Sequence, residues 1–264
     1  EGIRRIVGDR DDAPKLSIMA DAGKCDFRED IPRRTESVVD LVRVACYRHQ
    51  LPLALEMVKD ARDKGYETTL NLMAVTTIRD SELDETLPLL ADSEADAVYV
   101  VDSFGALHMA ETRRLVEKYL AALSPSGIRV GIHAHNNLQL AFANTLEAHA
   151  AGATWLDATM GGLGRGAGNC PMELLLGFLD DPRYRLPPVL RCVAETIEPM
   201  RAELGWGFDL PYMITGLRNL HPRSAIAYNA AEPGGDIGAF YTASIAESEA
   251  GSVRVLHPPG GTSP

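Results

Sequence analysis

The chain has 264 residues, enough for one large α/β domain with a sizeable core. It carries 37 carboxylates against 26 Lys and Arg, a net charge of −11, and no basic run with interleaved aromatics, which argues against nucleic acid as a partner. No apolar stretch approaches the ~18 residues of a membrane span, and "EGIRRIVGDR" lacks the apolar core and cleavage site of a signal peptide, so a cytoplasmic protein is expected.

Taken in chain order, short apolar runs recur: "KLSIMAD" (15–21), "LVRVACY" (41–47), "ETTLNLMAV" (67–75), "DAVYVVDS" (96–103), "IRVGIHAH" (128–135) and "TWLDATM" (154–160). Each is apolar nearly throughout and short, as strands covered on both faces are. Helical patterns lie between them. "LPLALEMVKDARDKG" (51–65) ends on Gly65, and "SELDETLPLLADSEA" (81–95) opens with Ser81 and, three residues on, Asp84. "AETRRLVEKYLAAL" (110–123) separates charges from Leu and Val, "LQLAFANTLEAHAAG" (138–152) again ends on glycine, and "PMELLLGFL" (171–179) begins with Pro171 at a first-turn position. This β-then-α alternation, at a period of ~25–30 residues, predicts right-handed βαβ units in a TIM barrel or a doubly wound parallel sheet. After residue 180 the rhythm stops. "LPPVLRCVAETIEPMRAELGW" (186–206) reads as one more helix, "LPYMITGLRNLHPRSAIAYNA" (210–230) as a smaller helical annex, and the end as irregular. The four cysteines form no CxxC and are expected to be reduced; Cys46 and Cys170 read as small buried hydrophobes before nucleophiles.

Two of the seven histidines stand one residue apart in "GIHAHNN". Side chains alternate along a strand, so His133 and His135 point to one side with Ala134 opposite, at the C-terminal strand end where parallel α/β folds place their chemistry. Such a pair can chelate a divalent cation or can be two hydrogen-bonded rim histidines. One unit later "MGGLGRGAGNCPMEL" packs five glycines into the nine residues 161–169, a backbone able to turn closely over a site and deliver Asn169 before the next helix. A phosphate-cradling loop is the alternative, without the Lys-Ser/Thr pair of a P-loop or the GxGxxG spacing.

Together "GIHAHNNLQLAFANTLEAHAAG", "LDAT" and "GGLGRGAGN" resemble the HMG-CoA-lyase-like superfamily of metal-dependent TIM-barrel lyases and synthases. "DLVRVA", "VVDSFG" and "WGFDLPYMITGLRNLHP" are most similar to its aldolase branch. The resemblance implies that His133 and His135 bind a divalent metal (Mn²⁺ or Mg²⁺, or Zn²⁺), with Asn169 approaching or completing the shell. It implies a lyase that makes or breaks a C–C bond through a pyruvate-type enolate, stabilised by the metal as Lewis acid, with a small 2-oxo acid of the 4-hydroxy-2-oxo class as substrate. A Claisen-type synthase joining acyl-CoA to a 2-oxo acid is the enzymatic rival; such synthases carry Glu in a GxGERAGN loop where this chain has Arg165-Gly166. A non-catalytic metal-binding subunit or fragment is the rival of another class.

The family's Arg-Asp-Gly strand end, whose Asp is a metal ligand, has no counterpart. "GDRDD" (8–12) precedes a strand, and "IRD" (78–80) leads into a helix that Asp80 and Ser81 cap. Counted against the family, the six strands match its third to eighth. The expected fold is therefore a TIM (β/α)8-type barrel lacking the first two βα units, with a C-terminal helical annex: residues 1–185 the partial barrel, 186–232 the annex, 233–264 an irregular tail. Six strands do not close an eight-stranded barrel, so a homo-oligomer or a chain supplying the absent strands is expected, and an inactive aldolase when the chain stands alone. "GSVRVLH" (251–257) is a further strand candidate without an acidic ligand.

Other strand-end residues carry open readings. Asp102 and Ser103 are substrate contacts or helix caps, and Ser103 is also a catalytic candidate. Asn71 is a buried structural hydrogen-bonder or a substrate contact. Arg43 is buried against a carboxylate such as Asp157 or faces the substrate. Tyr47 is a substrate contact, and His49 a catalytic base or an exposed loop histidine.

Overall fold

The computed structural model describes residues 2–8, 14–231 and 235–250. The candidate strand 251–257 and most of "GDRDD" lie outside the described residues. Six strands, β1 (Ser17–Asp21), β2 (Leu41–Cys46), β3 (Glu67–Leu72), β4 (Ala97–Asp102), β5 (Arg129–Ala134) and β6 (Trp155–Leu156), form one sheet in chain order. Between or after them come α1 (Leu51–Asp63), α2 (Asp80–Ala91), α3 (Met109–Leu123), α4 (Ala141–Ala150) and α5 (Met172–Leu179). Strand order equal to chain order, with α1 to α4 at the crossovers after β2 and the single helical turn Phe27–Asp30 between β1 and β2, is the TIM-barrel type of α/β winding that the alternation predicts. No described helix is long and apolar enough to cross a membrane.

The chain divides into two compact units. The first takes residues 1–73, 80–99 and 119–130. Here β1 pairs with β2 and β2 with β3, all parallel, with Met19 opposite Arg43 and Arg43 opposite Thr69. Val42, Val44, Leu70 and Leu72 are fully buried, as strands covered on both faces require. α1 buries Leu51, Ala54, Met57, Val58 and Ala61 along one stripe and gives way at Gly65, whose φ of 92° suits glycine.

The second unit takes residues 74–79, 100–118 and 131–264, and it runs through residue 185 without a break. Its β5 and β6 pair in parallel at Gly131–Trp155 and Ile132–Leu156. β6 is two residues long, not the seven of "TWLDATM". Thr159 instead bridges to Pro171, and Met160–Gly162 turns as a short 3-10 helix with Gly161 at φ 62°. β3 is likewise shorter than its apolar run, because Ala74 adopts φ 52° and leaves the strand direction. The helix expected over 186–206 is α6 (Leu186–Cys192) and α7 (Glu198–Leu204) joined by a π turn, Val193–Ile197. The annex adds α8 (Leu210–Leu217) and α9 (Arg223–Ala230). The expected irregular tail is corrected over Ile237–Ala250, which forms the fourteen-residue helix α10. Its apolar residues follow no helical stripe, so periodicity could not reveal it.

Candidate functional site

The pairing of β5 with β6 sets the local chemistry. Beyond the Ile132–Leu156 pair, the Asp157 amide donates to the Ile132 carbonyl at 3.0 Å, which brings the Asp157 carboxylate alongside His133. Asp157 Oδ2 lies 2.8 Å from His133 Nδ1. That contact orients the His133 ring, with Nδ1 facing Asp157 and Nε2 on the opposite side of the ring.

His135 sits just past the strand end, bridged to Asn169, and its neighbour Asn136 donates its amide to the Gly168 carbonyl at 2.8 Å. The glycine-rich loop is thus fastened to the histidine segment. The two imidazole rings stand 5.1 Å apart at 77°. Burial, then the neighbouring His133 and the Arg165 cation, push His135 down to about 3, so it is neutral at physiological pH. Its Nδ1 and the Oδ1 of Asn169 are both buried without a hydrogen-bond partner in the structure, a costly arrangement for two polar atoms at one place.

The loop's glycines are there for close approach. A Cβ on Gly168 would lie 2.2 Å from the Gly162 carbonyl, and one on Gly164 would lie 2.5 Å from Asn169 Nδ2. The Asn169 amide donates to Gly162 O at 3.0 Å, and its Nδ2 donates to Leu163 O at 3.1 Å. These bonds orient the side-chain amide and direct its nitrogen inward to the loop. A Cβ on Gly166 would strike the Tyr212 ring at 2.5 Å. Arg165, exposed between them, donates from Nη2 to the Ser103 carbonyl at 2.8 Å.

Asp102 is fully buried and accepts the amides of Ala106 at 3.0 Å and Leu107 at 3.1 Å. Burial pushes it up to about 6 against the pull of those amides and of His133. Ser103 Oγ accepts the Ala74 amide at 2.8 Å. Both residues spend these bonds on turns at strand ends. Tyr212 and His221 belong to the same unit and were not singled out from sequence. Asn137 donates to the Tyr212 carbonyl at 3.0 Å, and His221 packs edge-on against Phe104 at 5.4 Å. Neither has a spacing signal; folding of the annex places them.

Arg43, Asn71, Tyr47 and His49 fall in the first unit. The Arg43 guanidinium lies 4.7 Å over the Tyr99 ring. Asn71, buried, accepts from Thr69 Oγ1 at 3.1 Å, the structural alternative. Tyr47 stacks on His49 at 5.8 Å, and His49 is exposed. Cys46 and Cys170 are fully buried, and burial pushes their thiols up to about 12 and about 11, which removes both as nucleophiles.

A parallel α/β winding with paired histidines at a strand end and a glycine-rich loop fastened over them defines a TIM-type protein with strand-end chemistry. The chain belongs to the HMGL-like family, whose model matches residues 47–183. It is 40% identical over 154 residues to 4-hydroxy-2-oxovalerate aldolase of Thermus thermophilus, covering 58% of this chain and 44% of that one. It is 38% identical over 141 residues to oxaloacetate decarboxylase of Mycobacterium tuberculosis, covering 53% and 41%. The chain spans less than half the length of these two relatives. The HMG-CoA lyase of Bacillus subtilis superposes with a TM-score of 0.60 over 76% of this chain and 74% of that one, at 17% identity, a likeness of fold.

Proposed function

We propose that the chain carries the histidine half of a divalent-metal site in an aldolase or lyase that works through a pyruvate-type enolate. One observation carries this reading: next to His133, which Asp157 orients, His135 Nδ1 and Asn169 Oδ1 are buried without a hydrogen-bond partner. Two nitrogens and an amide oxygen fit a divalent ion such as Mn²⁺ or Mg²⁺, or Zn²⁺. They are a partial set, because among the described residues no group of three or more His, Cys, Asp or Glu is arranged to hold a metal.

When bound, the ion supplies Lewis-acid stabilisation to an enolate oxygen. The protein's own part is orientation. Asp157 orients the His133 ring through Nδ1, burial keeps His135 neutral, and the Gly162 and Leu163 carbonyls fix the Asn169 amide. Neutral ligands leave the ion's charge uncompensated, which favours an anionic enolate. The two relatives' names support the class, since aldol cleavage of a 4-hydroxy-2-oxo acid and decarboxylation of oxaloacetate both break a C–C bond to leave pyruvate enolate. The four unbridged cysteines support a reducing, cytoplasmic location, and partners beyond a small 2-oxo acid are a second copy or a chain that completes the ligand set.

The test is titration with Mn²⁺ followed by water-proton relaxation. One site is expected, lost in His133→Ala and strengthened by oxalate, an enolate mimic. Mn²⁺ binding that survives His133→Ala removes the reading. Binding of acyl-CoA without any effect of oxalate favours the Claisen-type synthase.

A further inference from the structure

We propose that Arg165 recognises a second carboxylate, so that the preferred substrate is a dicarboxylic 2-oxo acid. This rests on the enolate reading above and narrows its substrate class. The geometry begins with the loop. Both flanks of Arg165 are fixed, at Gly162 by the Asn169 amide and at Gly168 by the Asn136 amide, so the residue projects from a fastened turn four positions before Asn169. Gly166, next in sequence, lies against the Tyr212 ring, and the guanidinium itself reaches the carbonyl of Ser103 at the end of β4. Arg165 therefore lies between the loop that presents Asn169 and the strand end that carries Ser103.

Tyr212, against which Gly166 packs, accepts at its carbonyl from Asn137 at 3.0 Å, two positions past His135, and Arg165 brings a positive charge to this part of the unit. A guanidinium presents five N–H donors in a planar fork matched to a carboxylate, and its bond to the Ser103 carbonyl sets the plane of that fork. In a chain of net charge −11 a dianionic substrate is repelled at long range, and a local cation between the glycine-rich loop and the end of β4 offsets that repulsion. With the 2-oxo carboxylate at the histidines, a distal carboxylate gains charge-assisted bonds to Arg165; a distal methyl gains none.

The experiment is calorimetric titration of the Mn²⁺-loaded full chain with 2-oxoglutarate and with 2-oxovalerate, which match in carbon count and differ by one carboxylate. 2-Oxoglutarate is expected to bind about tenfold tighter. In Arg165→Gln the ratio of the two affinities falls to near one. A wild-type ratio near one overturns the proposal without any variant, as does a ratio that Arg165→Gln leaves intact. If 2-oxovalerate binds in a Mn²⁺-dependent way with no dicarboxylate advantage, the Arg165 assignment alone falls. If neither acid binds, the enolate reading falls and takes this one with it.

Discussion

At the scale of single residues, the ring of His133 is oriented by Asp157 at 2.8 Å, a residue whose part the sequence did not disclose. Carboxylates behind ligating histidines tune affinity, so Asp157→Asn should weaken Mn²⁺ binding by about 10- to 100-fold without unfolding the chain. Relaxation titration beside a circular-dichroism spectrum checks this; unchanged affinity would detach Asp157 from the site. Asp102 makes a separate prediction about pH. Its folded value of about 6 stands above the ordinary 3.8, so the native state binds the proton more tightly than the unfolded chain. Stability from this group is fully present below pH 3.8 and is lost as pH rises to about 6, a decline of about 3 kcal/mol for the metal-free chain. Urea midpoints across that window, compared with Asp102→Asn, measure it. A variant with the same slope as the wild type would assign the decline elsewhere.

At the scale of elements, the loop 161–169 depends on a backbone that approaches itself. Gly168 has φ 84°, and a methyl there meets the Gly162 carbonyl at 2.2 Å, so the conformation and the contact both exclude alanine. Gly168→Ala should cost at least about 2 kcal/mol and lower Mn²⁺ affinity together, because the Asn136–Gly168 bond fastens the loop to the histidines. Chemical denaturation and the Mn²⁺ titration read the two effects; a stable variant with full affinity would show that the loop is not what holds Asn169. The glycines were legible as a close turn because five in nine residues have no helical or strand use. What they turn around was not legible, since Leu163 and Gly162 meet Asn169 through backbone carbonyls that every residue possesses.

At the scale of the whole molecule, β1 ends the described strand order, and Met19 on it is 51% exposed. An edge strand with an exposed apolar side chain invites association. Sedimentation of the chain by itself should show concentration-dependent self-association that Met19→Lys reduces, and a monomer at every concentration would contradict this. By itself the sequence determined the βα alternation, the six strands and the placing of His133 and His135 on one side of a strand end. Each of these follows from local periodicity, and periodicity is written in residue order. It also overreached where periodicity is a poor guide. The apolar run 154–160 promised a strand that Thr159 and Gly161 turn aside, and 237–250 hid a helix with no stripe. Only the tertiary structure decided that Asp157 orients His133, that Asp102 and Ser103 spend their hydrogen bonds on turns, and that Arg165 lies between the glycine-rich loop and the end of β4. The contacts of Asp157, Ser103 and Arg165 join residues 24, 29 and 62 positions apart, and such pairings depend on strand register and loop closure, which no local pattern encodes.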